Sequence, residues 1–343
     1  MMALLKDSQT GKVTLMTTLS RTLRAAALGL GILTGAGVSA QAQTNLEWAS
    51  GSAGGSWFTI VTGLANIVME KNPDISIRVV PGGGRDNPTM IDGGISQMGM
   101  GIDFLAAAAD KGTEPYSKVH EGLTSMGGTW APAEFHVIVD GSETRSLGEI
   151  LADPSIRIGT SPKATSEELT LQRTLAFYQN DAAKVSAGGG KVINGSYSQL
   201  ISAFDDNQIN VIFGAGSVPT GIALEIENGR RPAKLIAMDA PLMEYLTQTY
   251  GYGQGVIPAG SYERLGNEAD IPVTTMEALI LVSSKVDEDV VYRMTKTLIE
   301  NRSRFTNIYK VLGKYDPAIA WQNQPVPLHP GAEKAYKELG FMK

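Results

Sequence analysis

Trp57, Ile60, Val61, Leu64, Ile67 and Val68 recur at spacings of three and four, so the stretch that holds them predicts a helix with one apolar face. Just ahead of it lie a strand-like run at 46–49 and a loop of small residues at 50–57, reading S-G-S-A-G-G-S-W. The same alternation of strand, polar loop and helix continues. Residues 75–80 alternate and are β-branched, which predicts a strand, and they run into P-G-G-G-R-D-N-P. Asp86 or Asn87 can cap the short helix expected at 89–91, with Pro88 at its first position. Further strands are expected at 97–102, 123–126, 135–139, 156–159, 191–193, 210–213 and 234–238. Helices fit 105–110, 146–151, 198–204, 220–227 and 241–249. Thr165 and Glu168 have capping-box spacing for a helix reaching Tyr178. A long apolar strand is expected at 274–283. Asp287 then caps a helix with Val290, Val291, Met294, Leu298 and Ile299 inward, and a last helix is expected at 333–339.

Strands alternating with helices imply α/β layers. The pattern occurs twice, changing near Asp140 and returning through the glycine-rich stretch 251–260. Two lobes joined by two crossings make a hinged binder, with lobe I at 43–138 plus 258–343 and lobe II at 139–257. Ligands in open α/β sheets sit beyond the carboxyl ends of strands. The loops there carry the candidate ligand residues: Ser52, Gly54, Gly55, Ser56 and Trp57; Gly84, Arg85 and Asn87; Asp103; Ser161, Lys163, Thr165 and Ser166; Gly214, Ala215 and Gly216. Arg85 or Lys163 would pair with a carboxylate, the arginine bidentately. The serines, Thr165 and Asn87 would supply neutral hydrogen bonds, and Trp57 a flat apolar wall. Asp103 would accept from an ammonium or hydroxyl. Each also has a plainer role: turn residue for Arg85, solvated rim for Lys163, helix cap for Asp103, core for Trp57.

Composition narrows the chemistry. The 343 residues suffice for two cores and include no cysteine, which excludes disulfides and thiolate chemistry. His120, His136 and His329 lie far apart with no metal-ligand spacing, so structural roles are expected, and no metal or cofactor is implied. No G-x-S-x-G elbow or Ser-x-x-Lys occurs, and the first glycine loop lacks dinucleotide spacing, so an enzyme is not expected. Arg21 and Arg24 precede an apolar run at 25–38 and then Ala40 and Ala42, the pattern of a secretory signal peptide spanning 1–42. Without a cysteine after it, lipid anchoring at a cysteine is excluded, and a periplasmic location is expected. Removing Lys6, Lys12, Arg21, Arg24 and Asp7 from the 29 basic and 35 acidic residues leaves 25 and 34, a net charge of −9. Such a chain is not expected to bind nucleic acid.

Five segments resemble, in order, the TAXI-type solute-binding proteins of TRAP transporters. They are G-S-A-G-G-S-W-F at 51–58, P-G-G-G-R-D-N at 81–87, Q-I-N-V-I-F-G-A-G-S-V-P at 208–219, I-P-A-G-S-Y at 257–262, and P-L-H-P-G-A-E-K-A-Y-K-E-L-G at 327–340. Where that family has a G-S-G-T-type loop, this chain has S-P-K-A-T-S at 161–166, losing glycine amides and gaining a lysine. The resemblance implies a two-lobed, type II-like periplasmic-binding-protein fold with a hinge and a cleft between lobes. It also implies capture of a small organic acid anion or amino acid, dicarboxylate or glutamate-like, by a monomer that delivers it to TRAP permease subunits. The alternative is a binder of the same build serving an ABC-type permease or a chemoreceptor.

Overall fold

The computed structural model describes residues 43–51, 53, 55–130 and 132–343; the signal peptide expected at 1–42, Ser52 and Gly54 lie outside them. The first strand, β1 (Thr44–Ala49), leads through the glycine loop into helix α1 (Ser56–Lys71). Then come β2 (Ile75–Val80), α2 (Asn87–Asp92), β3 (Met98–Ile102), α3 (Asp103–Lys111), β4 (Leu123–Ser125) and β5 (Ala133–Asp140). The middle of the chain holds α4 (Leu147–Ala152), β6 (Arg157–Thr160), α5 (Ser166–Phe177), α6 (Ala182–Ala187), β7 (Lys191–Asn194), α7 (Tyr197–Asp205) and β8 (Val211–Gly216). It continues with α8 (Gly221–Glu227), β9 (Ala233–Ile236), α9 (Ala240–Tyr250), β10 (Gly253–Ile257), β11 (Ile271–Met276) and β12 (Ala278–Ser283). The tail is helical: α10 (Glu288–Glu300), α11 (Phe305–Ile308), α12 (Pro317–Ala320) and α13 (Pro330–Glu338).

The strands form two sheets. The first runs β2-β1-β3-β12-β4, with β1, β2 and β3 parallel and β12 antiparallel to β3 and β4. The second runs β10-β11-β5-β8-β6-β7, with β9 also pairing β5. In each, the strand order reverses within the parallel part, between β1 and β3 and between β6 and β8, and loops leaving such a switch point diverge to leave a crevice. Alternation in β12 shows how the first sheet is covered on both faces. Ile280 and Val282 join Trp48, Leu64 and Met100 under α1, α10 and α13. Leu279 and Leu281 join Ile91, Ala106 and Ala109 under α2 and α3. The second sheet has its own core around Phe135, Val137, Ile158, Phe204, Phe213 and Leu246.

Two sequence expectations need correction here. The apolar run expected as one strand at 274–283 is two strands, because Glu277 interrupts it: β11 belongs to the second sheet and β12 to the first. The glycine-rich stretch 251–260 is not the return crossing; it contains β10, the edge strand of the second sheet. Gly253 and Gly255 flank the Thr275 side chain, whose methyl would lie 2.7 Å from a Cβ at Gly255, so small residues let it pack across the strand. Sheet membership therefore changes between Ser125 and Ala133 and again at Glu277. The crossings run side by side, Ala133 pairing Met276 and Glu134 pairing Thr275.

The segments at 257–262 and 327–340 serve the scaffold. Tyr262 Oη lies 2.8 Å from His136 Nε2 and accepts the Thr220 N–H at 2.8 Å, tying a loop to β5 and to the start of α8. His136 Nδ1 donates to the Glu134 carbonyl at 2.8 Å, and burial holds its imidazole down at about 4, so it is neutral. His329 caps α13, its Nδ1 accepting from Gly331 N, and Gly331 seats that helix against the Glu288 carbonyl of α10. His120 bonds the Thr89 hydroxyl.

Candidate functional site

A cavity of about 170 Å³ opens between the loops at the carboxyl ends of the two sheets. At the roughly 30 Å³ that a water takes up in the liquid, that is space for about six waters or a small organic solute. From the first sheet it is lined by Gly51, Ala53, Gly55, Ser56 and Trp57 after β1 and by Gly82, Gly83 and Gly84 after β2. From the second come Ser161, Pro162, Thr165, Ser166 and Glu167 after β6, Ser196–Ser198 after β7, and Ala215, Gly216 and Ser217 at the end of β8. Ala133 and Met276, the paired residues of the crossings, also line it. The two sides touch at one edge, where a Cβ on Gly83 would lie 3.0 Å from the Ala164 carbonyl. Ala164 itself has φ +68°, the left-handed conformation that a glycine would take without strain.

Three helices of nine residues or more start at this cavity: α1, α5 and α7. Each directs its free amides and the positive end of its dipole toward it. Gly55, the N-cap of α1, makes no side-chain bond to the first turn. Thr165 caps α5 by accepting from Glu168 N at 3.3 Å. The Glu168 carboxylate does not close a capping box; it faces Arg85 Nη1 at 3.6 Å and bonds Gln172. Ser196 and Gln199 form a complete box on α7. Trp57 packs against the cores of both sheets while lining the cavity, so the apolar wall and the core role coincide in one side chain.

Of the residues expected to meet a ligand, Gly55, Ser56, Trp57, Gly84, Ser161, Thr165, Ser166, Ala215 and Gly216 line this cavity together. Arg85, Asn87, Asp103, Lys163 and Gly214 do not. Lys163 points to solvent. Arg85 makes the ion pair with Glu168, linking the two sides outside the cavity, and its carbonyl accepts from Tyr116 Oη at 2.8 Å. Asn87 is fully buried: Oδ1 accepts from Gly83 N at 3.0 Å, and Nδ2 donates to the Ser50 and Met100 carbonyls, each at 2.8 Å. Asp103 lines a second cavity with Phe104, Arg173 and Tyr250, and burial pushes its carboxyl up to about 6. The same effect, with the charge of Asp103 added, pushes neighbouring Glu277 up to about 7.

Sequence reasoning missed Glu167, the only lining residue with a formal charge among the described residues. Its Oε2 accepts from Ser166 Oγ at 2.9 Å, and its Oε1 from Ser161 Oγ at 3.4 Å and Tyr197 Oη at 3.3 Å. Among the described residues no lysine or arginine lies within ion-pair distance of it. Tyr197 also donates to the Ala215 carbonyl at 2.7 Å, and burial pushes its phenol up, keeping it protonated. The signal for both was present in the polar segments S-E-E, in the first turn of the predicted helix capped by Thr165, and N-G-S-Y, directly after a predicted strand.

A family model described as the NMT1-like family matches residues 48–340. The chain belongs to that family. The match spans both sheets and every loop of the cavity. Among solved structures, this NMT1-like chain is similar to one described as periplasmic binding protein BugD, at 11% identity and TM-score 0.50, covering 86% of this chain and 93% of that one. It is also similar to the substrate binding protein of an amino acid ABC transporter (10%, TM-score 0.43, covering 79% and 100%). A third is an ABC-type phosphate transport receptor from Vibrio cholerae (15%, TM-score 0.45, covering 78% and 98%). The two-lobed periplasmic-binding-protein fold expected from the sequence is the fold of this NMT1-like chain.

Proposed function

We propose that this NMT1-like chain is the extracytoplasmic solute-binding component of a membrane transporter, a binder and not an enzyme. The observation that carries this reading is the cavity built from strand-end loops of two sheets that are joined by two adjacent crossings. A solute seated there bridges the lobes, the lobes close about the crossings, and the closed form docks on a permease. The sheets are the natural cores of the two lobes, with boundaries at 126–132 and Glu277. The candidate ligand residues are those that line the cavity, joined by Glu167, Tyr197 and Ser198. We assign the solute to the small carboxylates or amino acids, since three helix starts favour a negatively charged group.

For the permease we take the ABC-type reading first, since two of the solved structures to which the chain is similar bear ABC-transporter names. The second reading is a TRAP permease of the TAXI type, favoured by the ordered motifs, although those at 257–262 and 327–340 hold scaffold contacts and do not touch the cavity. Transport in vesicles holding the reconstituted partner separates the two, since ATP drives one and a sodium gradient the other. The binding reading is tested by thermal unfolding with small carboxylates and amino acids. A solute at a hundred times its Kd adds about 2.7 kcal/mol to stability. Conversion of that solute by a substoichiometric amount of protein would overturn the reading.

A further inference from the structure

The cavity is polar in an uneven way. On the first-sheet side it offers the start of α1, where Ser56 Oγ and the amides of Ser56 and Trp57 make no hydrogen bond to a described residue, the next amide, Phe58 N, being taken by the Gly55 carbonyl at 3.1 Å. On the second-sheet side the hydroxyl hydrogens of Ser161, Ser166 and Tyr197 are turned toward Glu167 or the Ala215 carbonyl. Those hydroxyls cannot also donate to a ligand anion without releasing Glu167. A carboxylate placed beside them would face the Glu167 charge in a partly dehydrated site, where like charges are costly. A ligand ammonium would instead complete the ion pair that Glu167 lacks among the described residues, while the carboxylate of the same ligand reaches α1. Resting on the reading of this cavity as the ligand cleft, we propose that Glu167 selects the solute by binding its ammonium group. The cleft then takes zwitterionic amino acids with a single carboxylate and rejects dicarboxylates.

The charge arithmetic supports this assignment. Of the two cations expected to pair with a carboxylate, Arg85 is engaged by Glu168 outside the cavity, and Lys163 faces solvent. A dicarboxylate would therefore bring two charges to a site that offers amide dipoles and one opposing carboxylate. A zwitterion brings one charge of each sign to the side that complements it.

The test uses the full chain, with thermal unfolding and calorimetry on four probe sets. These are neutral L-α-amino acids from glycine to phenylalanine, the same acids lacking the amino group, the same amines lacking the carboxylate, and succinate. The expected result is that an amino acid binds at least tenfold more tightly than its des-amino and des-carboxy counterparts and than succinate. Glu167→Gln should weaken that amino acid at least tenfold and change its des-amino counterpart by no more than threefold or tighten it. Glu167→Asp, which keeps the charge, should retain the preference for the amine-bearing member of each pair. Des-amino acids or succinate binding as tightly as any amino acid would sink the Glu167 assignment and leave the cleft standing. So would an unchanged preference in Glu167→Gln. Failure of every probe set to bind would overturn the cleft reading and the assignment with it.

Discussion

Asn87→Ala tests whether a fully buried polar side chain near the cavity belongs to the ligand or to the scaffold. Asn87 is 0% exposed, and its amide group satisfies three backbone groups: the Gly83 N–H at 3.0 Å and the Ser50 and Met100 carbonyls at 2.8 Å. Those groups sit just past the end of β1, in the middle of β3 and in the loop after β2, so one side chain ties two neighbouring strands to the loop that carries part of the first-sheet wall. Truncation leaves all three in a space closed to solvent, where an unsatisfied polar group costs about 1–3 kcal/mol. Relaxation and an entering water recover part of that, so the net loss is about 3–5 kcal/mol, a large share of the roughly 5–15 kcal/mol typical of folded proteins. Asn87→Asp should be at least as damaging, because it turns acceptors toward the Ser50 and Met100 carbonyls. Urea unfolding at neutral pH measures this as a lower midpoint with an unchanged slope. Ligand affinity should fall only in proportion to the loosened wall. A stability change below about 1 kcal/mol together with a tenfold or greater loss of affinity would refute the scaffold assignment.

Arg85→Ala removes a long pair, at 3.6 Å, between a guanidinium that is one-third exposed and the largely buried Glu168 carboxylate, which links the lobes outside the cavity. Such pairs contribute about 0–1 kcal/mol, so affinity should fall threefold or less, and a hundredfold loss by calorimetry would reinstate Arg85 as a ligand clamp. Gly83→Val places branched carbons where even a Cβ is 3.0 Å from the Ala164 carbonyl. It should hold the lobes apart and weaken binding at least tenfold while leaving the unliganded unfolding midpoint nearly unchanged; a matching loss of midpoint would assign the contact to folding instead of closure. His136 titrates at about 4 in the folded chain and about 6.5 when unfolded. The unfolded state therefore binds the extra proton between those values, and the neutral imidazole contributes stability above pH 6.5 that is lost as pH falls toward 4, about 3 kcal/mol in all. Urea unfolding of wild type and His136→Gln at pH 7.5 and 4.5 should show their difference shrinking by roughly 2 to 3 kcal/mol at the lower pH. A constant difference would mean that the ring enters the folded state charged.

Local signals with a single cause were readable from the chain. The alternation at Ile75–Val80 gave that strand its observed bounds, and Asp287 caps α10 as expected, accepting from Asp289 N and Val290 N. The expectations that failed depended on partners distant in sequence. Nothing local says that Glu277 separates strands of two sheets, or that glycines at 253 and 255 leave room for Thr275. The helices at α11 and α12 are four residues each, too short to show a period. At the site, the positions of the loops were legible and the roles within them were not. Asn87 and Arg85 belong to a glycine loop that lines the cavity, yet buried carbonyls claim one and Glu168 the other. Glu167 and Glu168 are adjacent in the first turn of α5, and only the rotation of that turn decides which carboxylate faces the cavity.

That adjacency bears on how a scaffold shared across a family can change what it binds. The contacts of Asn87, Tyr262 and His329 hold strand ends, loops and the tail, and they are indifferent to the charge of anything in the cleft. The cleft's own electrostatics come from three helix starts, fixed by the fold, plus one side chain at the second position of α5. The helix starts supply a constant preference for a carboxylate. The charge at position 167 then decides what may accompany that carboxylate. An acidic residue there asks for an amine, whereas a neutral or basic one would admit a second anion. Selectivity of this kind can be altered by one substitution without touching the core, which is why motifs that identify the family do not identify the solute.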